Sequence, residues 1–105
     1  MKLNYRKIPA TPGVYLMRDG EGRILYIGKA GNLRRRVSSY FTRPHDRRLE
    51  NLVSQVRKID YRKTDTVIEA LMLESKLIKK FSPRFNIRGK DDKRFFEYFA
   101  KLEDL

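Results

Sequence analysis

The sequence predicts an α+β fold, a small three-stranded antiparallel sheet packed by helices in the order β-β-α-α-β-α. Three observations carry it. "GVYLMR" (13–18) and "RILYIG" (23–28) are β-like runs flanking "DGEG" (19–22), a hairpin pattern. Two amphipathic stretches with polar caps follow. A third helix opens on Thr66 and Glu69, spaced as in a capping box. Hairpin strands and intermixed helices point to a mixed architecture rather than a parallel α/β sheet.

Taken in order, a loop of Asp19 to Gly22 sets Arg18 opposite Arg23 and Tyr15 opposite Tyr26. That register puts both tyrosines on one sheet face with Met17 and Ile24, and Val14, Leu16, Leu25 and Ile27 on the other. In "GKAGNLRRRVSSYF" (28–41), Asn32 is the expected N-cap and Leu33, Val37, Tyr40 and Phe41 the apolar stripe. Arg36 and Tyr40, four residues apart, become surface neighbours. "RPHDRRLENLVSQVRK" (43–58) supplies the second helix, capped by Asp46, with Leu49, Leu52, Val53 and Val56 inward. "IDYRKT" (59–64) alternates as an edge strand with Ile59 and Tyr61 inward. "SPRFNIRGKDDK" (82–93) reads as an ordered loop, and the tail from 94 to 105 as helix.

In the third helix, Val67, Ala70, Leu71, Leu77, Ile78 and Phe81 define one apolar face, and Glu74 lies within it. At about 100° per residue, Glu74 falls within about 20° of Val67. A carboxylate aimed at a core needs a cation or hydrogen-bond donors to meet it. An ion pair with one of many lysines or arginines satisfies that need, and so does a metal.

Composition bounds the function. The chain has 105 residues, 25 Lys plus Arg against 13 Asp plus Glu, and a net charge of +12. That is one domain, expected to be monomeric, with the electrostatic footprint of a polyanion-binding protein. No run approaches the roughly 18 apolar residues of a membrane span, and no signal peptide is evident. The absence of cysteine excludes disulfides and cysteine-ligated zinc and fits a cytoplasmic protein. His45 is the single histidine, which excludes histidine triads and multi-histidine metal sites; it reads as a surface or capping residue. Tyr15 and Tyr26 read equally as packing residues. In "GKAGNLRRRV", Gly28 permits close approach, while Lys29, Arg35 or Arg36 and a helix N-terminus can meet a phosphate, or else form a solvated basic face. A lone Glu suffices for magnesium, which keeps several waters and needs one or two carboxylates.

Together, "PGVY" (12–15), "YIGKAGNLRRRVSSYF" (26–41), "EALMLESKLIKKFSPRFN" (69–86) and "KDDK" (90–93) resemble the GIY-YIG nuclease superfamily, in the branch of the N-terminal UvrC module. The resemblance spans about residues 8–93, within a single 1–105 domain. It implies a DNA endonuclease using one Mg2+ or Mn2+ ion and no small-molecule cofactor. In it Glu74 matches the metal ligand, and Tyr15 and Tyr26 the active-site tyrosines, with Tyr26 assisting deprotonation of water. Arg36 matches the arginine that stabilises the phosphate, Lys29 the lysine beside the metal waters, Tyr40 a pocket tyrosine and Asn86 a supporting asparagine. Lys29, Arg34, Arg35 and Arg36 form the expected DNA-binding set. If the chain is part of a UvrC protein, the resemblance implies incision 3′ to a lesion and a UvrB-like damage-recognition partner. The alternatives are a stand-alone structure-directed nuclease and a non-catalytic DNA-binding module of the same fold. Two departures stand out. "RFFEYF" follows "KDDK" where that branch has a Ser-Tyr-Pro-like strand, and the sequence stops at Leu105, so the further segments of UvrC are not in it.

Overall fold

The structure, a computed structural model, describes residues 5–86. A short 3-10 turn (Tyr5–Lys7) precedes β1 (Gly13–Arg18) and β2 (Ile24–Ala30). Then come α1 (Leu33–Thr42), α2 (Arg47–Gln55), β3 (Lys58–Lys63) and α3 (Val67–Phe81). The sheet has three antiparallel strands, as the sequence predicts, in the order β2-β1-β3. The predicted helical tail and the "KDDK" motif lie outside the described residues.

Each helix starts where its capping residue predicts. Asn32, Asp46 and Thr66 accept hydrogen bonds from the N–H groups of Arg35, Leu49 and Glu69. These side chains satisfy donors that the first turn leaves free. α3 ends at Ser82, whose φ of 44° is left-handed, and the Ser82 N–H donates to the Ile78 carbonyl. Pro83 follows, and the residue before a proline is disfavoured in the helical region. The chain therefore turns back toward the sheet.

The hairpin register differs from the expected one. The Asp19 carboxylate accepts from the N–H groups of Glu21 and Arg23, and the Asp19 N–H donates to the Arg23 carbonyl. Arg23 thus meets Asp19 rather than Arg18, with Gly22 taking a positive φ of 84° inside the tightened loop. A bulge then shifts the pairing, so that Arg18 opposes Ile24, Met17 opposes Tyr26 and Tyr15 opposes Gly28. Leu25 is the extra residue of the bulge. It packs in the cluster with Tyr15 and Met17, while Ile24 packs with Val14 and Leu16, the reverse of the expected faces. Beyond the bulge, alternation resumes and the two tyrosines share a face as expected.

Two apolar clusters flank the sheet. Tyr15, Met17, Leu25, Leu33, Val37, Tyr40, Leu52 and Val56 fill one side beneath α1 and α2. Val14, Leu16, Ile27, Ala70 and Leu77 fill the other beneath α3. α3 leans on β2 and β1, so its ends overhang the sheet. Val67 and Phe81 are consequently exposed, against expectation. Tyr61 is exposed too, because β3 is an edge strand that no described helix covers at that position; Ile59 is half-buried.

Candidate active site

Two faces of the sheet contribute to one site, which wraps the β2 edge. On the α1 side, Tyr15 is fully buried and leans over its cross-strand partner Gly28. A Cβ on Gly28 would overlap the phenol carbon and hydroxyl of Tyr15. Gly28 is therefore the bed of an aromatic ring, not the open approach for a substrate backbone that its sequence context suggests. The Tyr15 and Tyr40 hydroxyls are 2.6 Å apart, and either can donate. Arg36, one turn before Tyr40 on α1, donates to the Tyr40 hydroxyl at 3.2 Å, with its guanidinium carbon 4.8 Å from the ring centre. The Tyr15 and Tyr26 rings lie 6.2 Å apart. Arg36, Tyr40, Tyr15 and Tyr26 thus form one cluster.

On the α3 side, Glu74 is buried at 5% exposure, and its Oε1 has no hydrogen-bond partner among the described residues. The Lys29 ammonium lies 4.0 Å from that oxygen, close enough to attract and too far to hydrogen-bond. Burial raises the Glu74 pKa above the ordinary carboxylate range, and Lys29 opposes the rise. The Tyr26 phenol is pushed up to about 12, chiefly by burial and then by the nearby Tyr40 and Glu74. Tyr15 rises well above an ordinary phenol for the same leading reason. Both tyrosines are neutral phenols near pH 7.

Asn86 closes the outer edge of β2. Its Oδ1 accepts from the Ile27 N–H at 2.8 Å and its Nδ2 donates to the Ile27 carbonyl at 2.9 Å. The side-chain amide takes the place of a neighbouring strand, holding Ile27 between Tyr26 and Gly28.

The remaining predicted residues sit close by. Arg34 is committed to the protein, donating through Nε to the Ile8 carbonyl at 2.7 Å, although it is exposed overall. Arg35 is exposed on α1. His45 exceeds its expected role: it is half-buried, with Nε2 2.9 Å from the Ser39 carbonyl and its ring 5.5 Å from that of Tyr40. The contact pairs a loop with a helix end, and no residue spacing announces it. The capping role belongs to Asp46.

A lone inward carboxylate with an unpartnered oxygen fits a hydrated divalent ion, which takes oxygen ligands and needs few from protein. Among the described residues, no three His, Cys, Asp or Glu side chains cluster as a ligand set. Glu74 would be the single protein anchor.

Comparison with known proteins gives the family of this fold. The family model of the UvrC-like GIY-YIG domain matches residues 11–87. UvrABC system protein C from Trichlorobacter lovleyi is 53% identical over 100 residues, covering 94% of this chain and 17% of that protein. The protein of the same name from Methanococcus maripaludis is 45% identical over 104 residues, covering 98% of this chain and 20% of that protein. The chain thus spans about a fifth or less of the curated relatives it matches. The solved GIY-YIG N-terminal endonuclease domain of Thermotoga maritima UvrC, bound to magnesium as its catalytic divalent cation, superposes with a TM-score of 0.72 at 33% identity. The match covers 83% of this chain and 100% of that one. An asparagine-to-alanine mutant of the same domain, also bound to its catalytic cation, gives a TM-score of 0.73 at 33% identity, covering 84% of this chain and all of that one. With a superposition across the whole of that solved domain and a family-model match across nearly all of the described residues, the chain belongs to the UvrC-like GIY-YIG domain family.

Proposed function

We propose that this domain is a divalent-metal-dependent DNA endonuclease that hydrolyses one phosphodiester bond, and that within a UvrC-type protein it makes the incision 3′ to a lesion. The observation that carries the proposal is Glu74: a buried carboxylate with one orphaned oxygen, beside Lys29 and Tyr26.

Glu74 would anchor one Mg2+ or Mn2+ ion, which when bound supplies charge for the phosphate and an activated water. Tyr26, whose phenol feels the Glu74 charge, would accept or orient a proton of that water. Its phenol is held protonated partly by the Glu74 charge, so neutralising that carboxylate removes one cause of the raised pKa. Lys29 orients solvent and phosphate beside Glu74. Arg36 uses one of its five N–H donors on Tyr40 and can offer the rest to the phosphate, where negative charge grows in the transition state. Tyr15 and Tyr40 brace that guanidinium through their hydroxyl pair. The exposed arginines of α1, with Lys29, meet the DNA backbone, which makes binding salt-dependent. A UvrB-like protein would direct the cut to damage. No helix among the described residues is long and apolar enough to cross a membrane, and the reading places the domain in the cytoplasm with DNA.

The test is nicking of lesion-bearing or branched DNA with Mg2+ or Mn2+, alone and with a UvrB-like partner. Arg36→Ala should reduce the rate by about 10²–10³-fold, the usual cost of one transition-state donor. The loss should fall mainly on kcat. A wild-type domain that binds DNA and never cuts it under any of these conditions would overturn the nuclease reading.

A further inference from the structure

We infer that Arg48, on α2 and outside the catalytic cluster, is a positioning residue that sets the active-site strand through the segment Phe85–Asn86. The inference rests on the nuclease reading only for its catalytic consequence.

Three sets of bonds make one latch. The Phe85 N–H donates to the carbonyl of Leu25, the bulged residue of β2, at 2.9 Å. The Asn86 amide exchanges two bonds with Ile27 two residues further along. The Arg48 guanidinium donates to the Phe85 carbonyl from the opposite side. Phe85 itself is buried in the α1–α2 cluster. Its carbonyl therefore lies at an apolar boundary, where an unpaired acceptor is costly. Arg48 is its hydrogen-bond donor among the described residues.

The consequence lies in the order of the chain. Phe85 and Asn86 lie in a turn, closed by the Asn86 N–H on the Pro83 carbonyl, that caps the outer edge of β2. The Leu25 carbonyl points to the same outer edge as the N–H and C=O of Ile27, so the turn holds both, and Asn86 fixes Ile27 between Tyr26 and Gly28. The Tyr26 phenol feels the Glu74 charge, and Gly28 is the bed of Tyr15. Arg48 thus ties the second helix to the stretch of β2 that places both tyrosines. Sequence spacing does not reveal it, because Arg48 and Phe85 are 37 residues apart and Arg48 reads as one more surface cation.

The experiment compares Arg48→Met, Arg48→Lys and Asn86→Ala in the whole 105-residue chain. Hydrogen exchange at the Ile27 amide reports the latch without metal or DNA. Mn2+ titration and nicking report its effect on the site. Arg48→Met keeps the aliphatic stem and should speed Ile27 exchange about ten- to a hundredfold, the factor expected from losing a charge-assisted hydrogen bond. Core amides such as Val14 and Leu16 should keep their protection. Mn2+ affinity should weaken several-fold, and kcat should fall with KM little changed. Arg48→Lys should restore most of each effect. In the Asn86→Ala background, Arg48→Met should add little.

Unchanged Ile27 exchange in Arg48→Met, or an equal rise across all core amides, would overturn the inference. A variant with normal Mn2+ affinity and kcat despite faster Ile27 exchange would overturn it as well. If wild type proves unable to nick DNA, the exchange and Mn2+ arms still decide the latch.

Discussion

Glu74→Gln should abolish nicking, by about 10³-fold or more, without loss of stability at neutral pH. The rate loss corresponds to several kcal/mol of transition-state stabilisation, the usual contribution of a metal ion. The retained stability follows from the position of Glu74. Glu74 is buried, with an Oε1 that nothing among the described residues hydrogen-bonds. Its pKa is raised by burial, against the pull of Lys29. For an acid, a raised folded-state pKa means that the native protein binds the proton more readily than the unfolded chain does. The associated stability is fully present below the unfolded value and is lost as pH rises through the folded one. At neutral pH, then, the ionised Glu74 works against folding, and a neutral amide of the same shape does not. Thermal unfolding across pH should show this decline in wild type and its absence in Glu74→Gln. Magnesium should raise the melting temperature of wild type only. At a concentration about a hundred times its dissociation constant, that linkage amounts to about 2.7 kcal/mol. Equal stabilisation of the Gln variant by magnesium would remove Glu74 from the metal site, and wild-type nicking by that variant would remove it from catalysis.

Gly28→Ala should act from the other face of the sheet. The added methyl would occupy the place of the Tyr15 ring. Neither residue can easily retreat, because they are paired across β1 and β2 and Tyr15 is fully buried. Overpacking of this kind costs about 1–3 kcal/mol, a sizeable part of the stability of a small domain. The tyrosine must shift, and with it the 2.6 Å hydroxyl contact that braces Tyr40 and Arg36. Misplacement by about 1 Å is enough for a rate loss of about 10²-fold. Denaturant unfolding and nicking rates measure the two effects. The double variant Gly28→Ala/Tyr15→Leu should recover stability and remain slow, since the smaller side chain relieves the overlap and removes the hydroxyl. A Gly28→Ala protein with normal stability and normal activity would show that Tyr15 does not need this bed.

Much of this site is legible in the sequence because its parts obey local rules. Glu74 stands out by violating the apolar periodicity of α3. Asn32, Asp46 and Thr66 announce their helices through capping chemistry that acts over three residues. Arg36 and Tyr40 meet through the four-residue spacing of α1, and the structure shows both the hydrogen bond and the stacked guanidinium. What escapes is set by longer or subtler geometry. The bulge at Leu25 depends on the Asp19 carboxylate tightening the turn, and a single such residue reverses the faces of Ile24 and Leu25. Tyr61 follows the alternation of a strand, but alternation cannot say that no described helix covers the strand there. Asn86 carries no local signal at all; only the family resemblance singles it out, and its bonds to Ile27 span 59 residues.

The Asn86 amide has a further effect that concerns the protein as a solution species. A strand at the margin of a sheet presents free N–H and C=O groups that can recruit another chain. The two margins of this sheet are guarded differently. β3 carries exposed Lys58, Arg62 and Lys63, whose mutual repulsion between copies discourages lateral docking. β2 has the apolar sequence Ile24-Leu25-Tyr26-Ile27 and no such charges along that run. Among the described residues, its protection is the pair of bonds from one asparagine and the Phe85 amide. The side chain that braces the catalytic strand is thereby also its guard against self-association, so the tolerance of position 86 to substitution is limited by solubility as well as by chemistry.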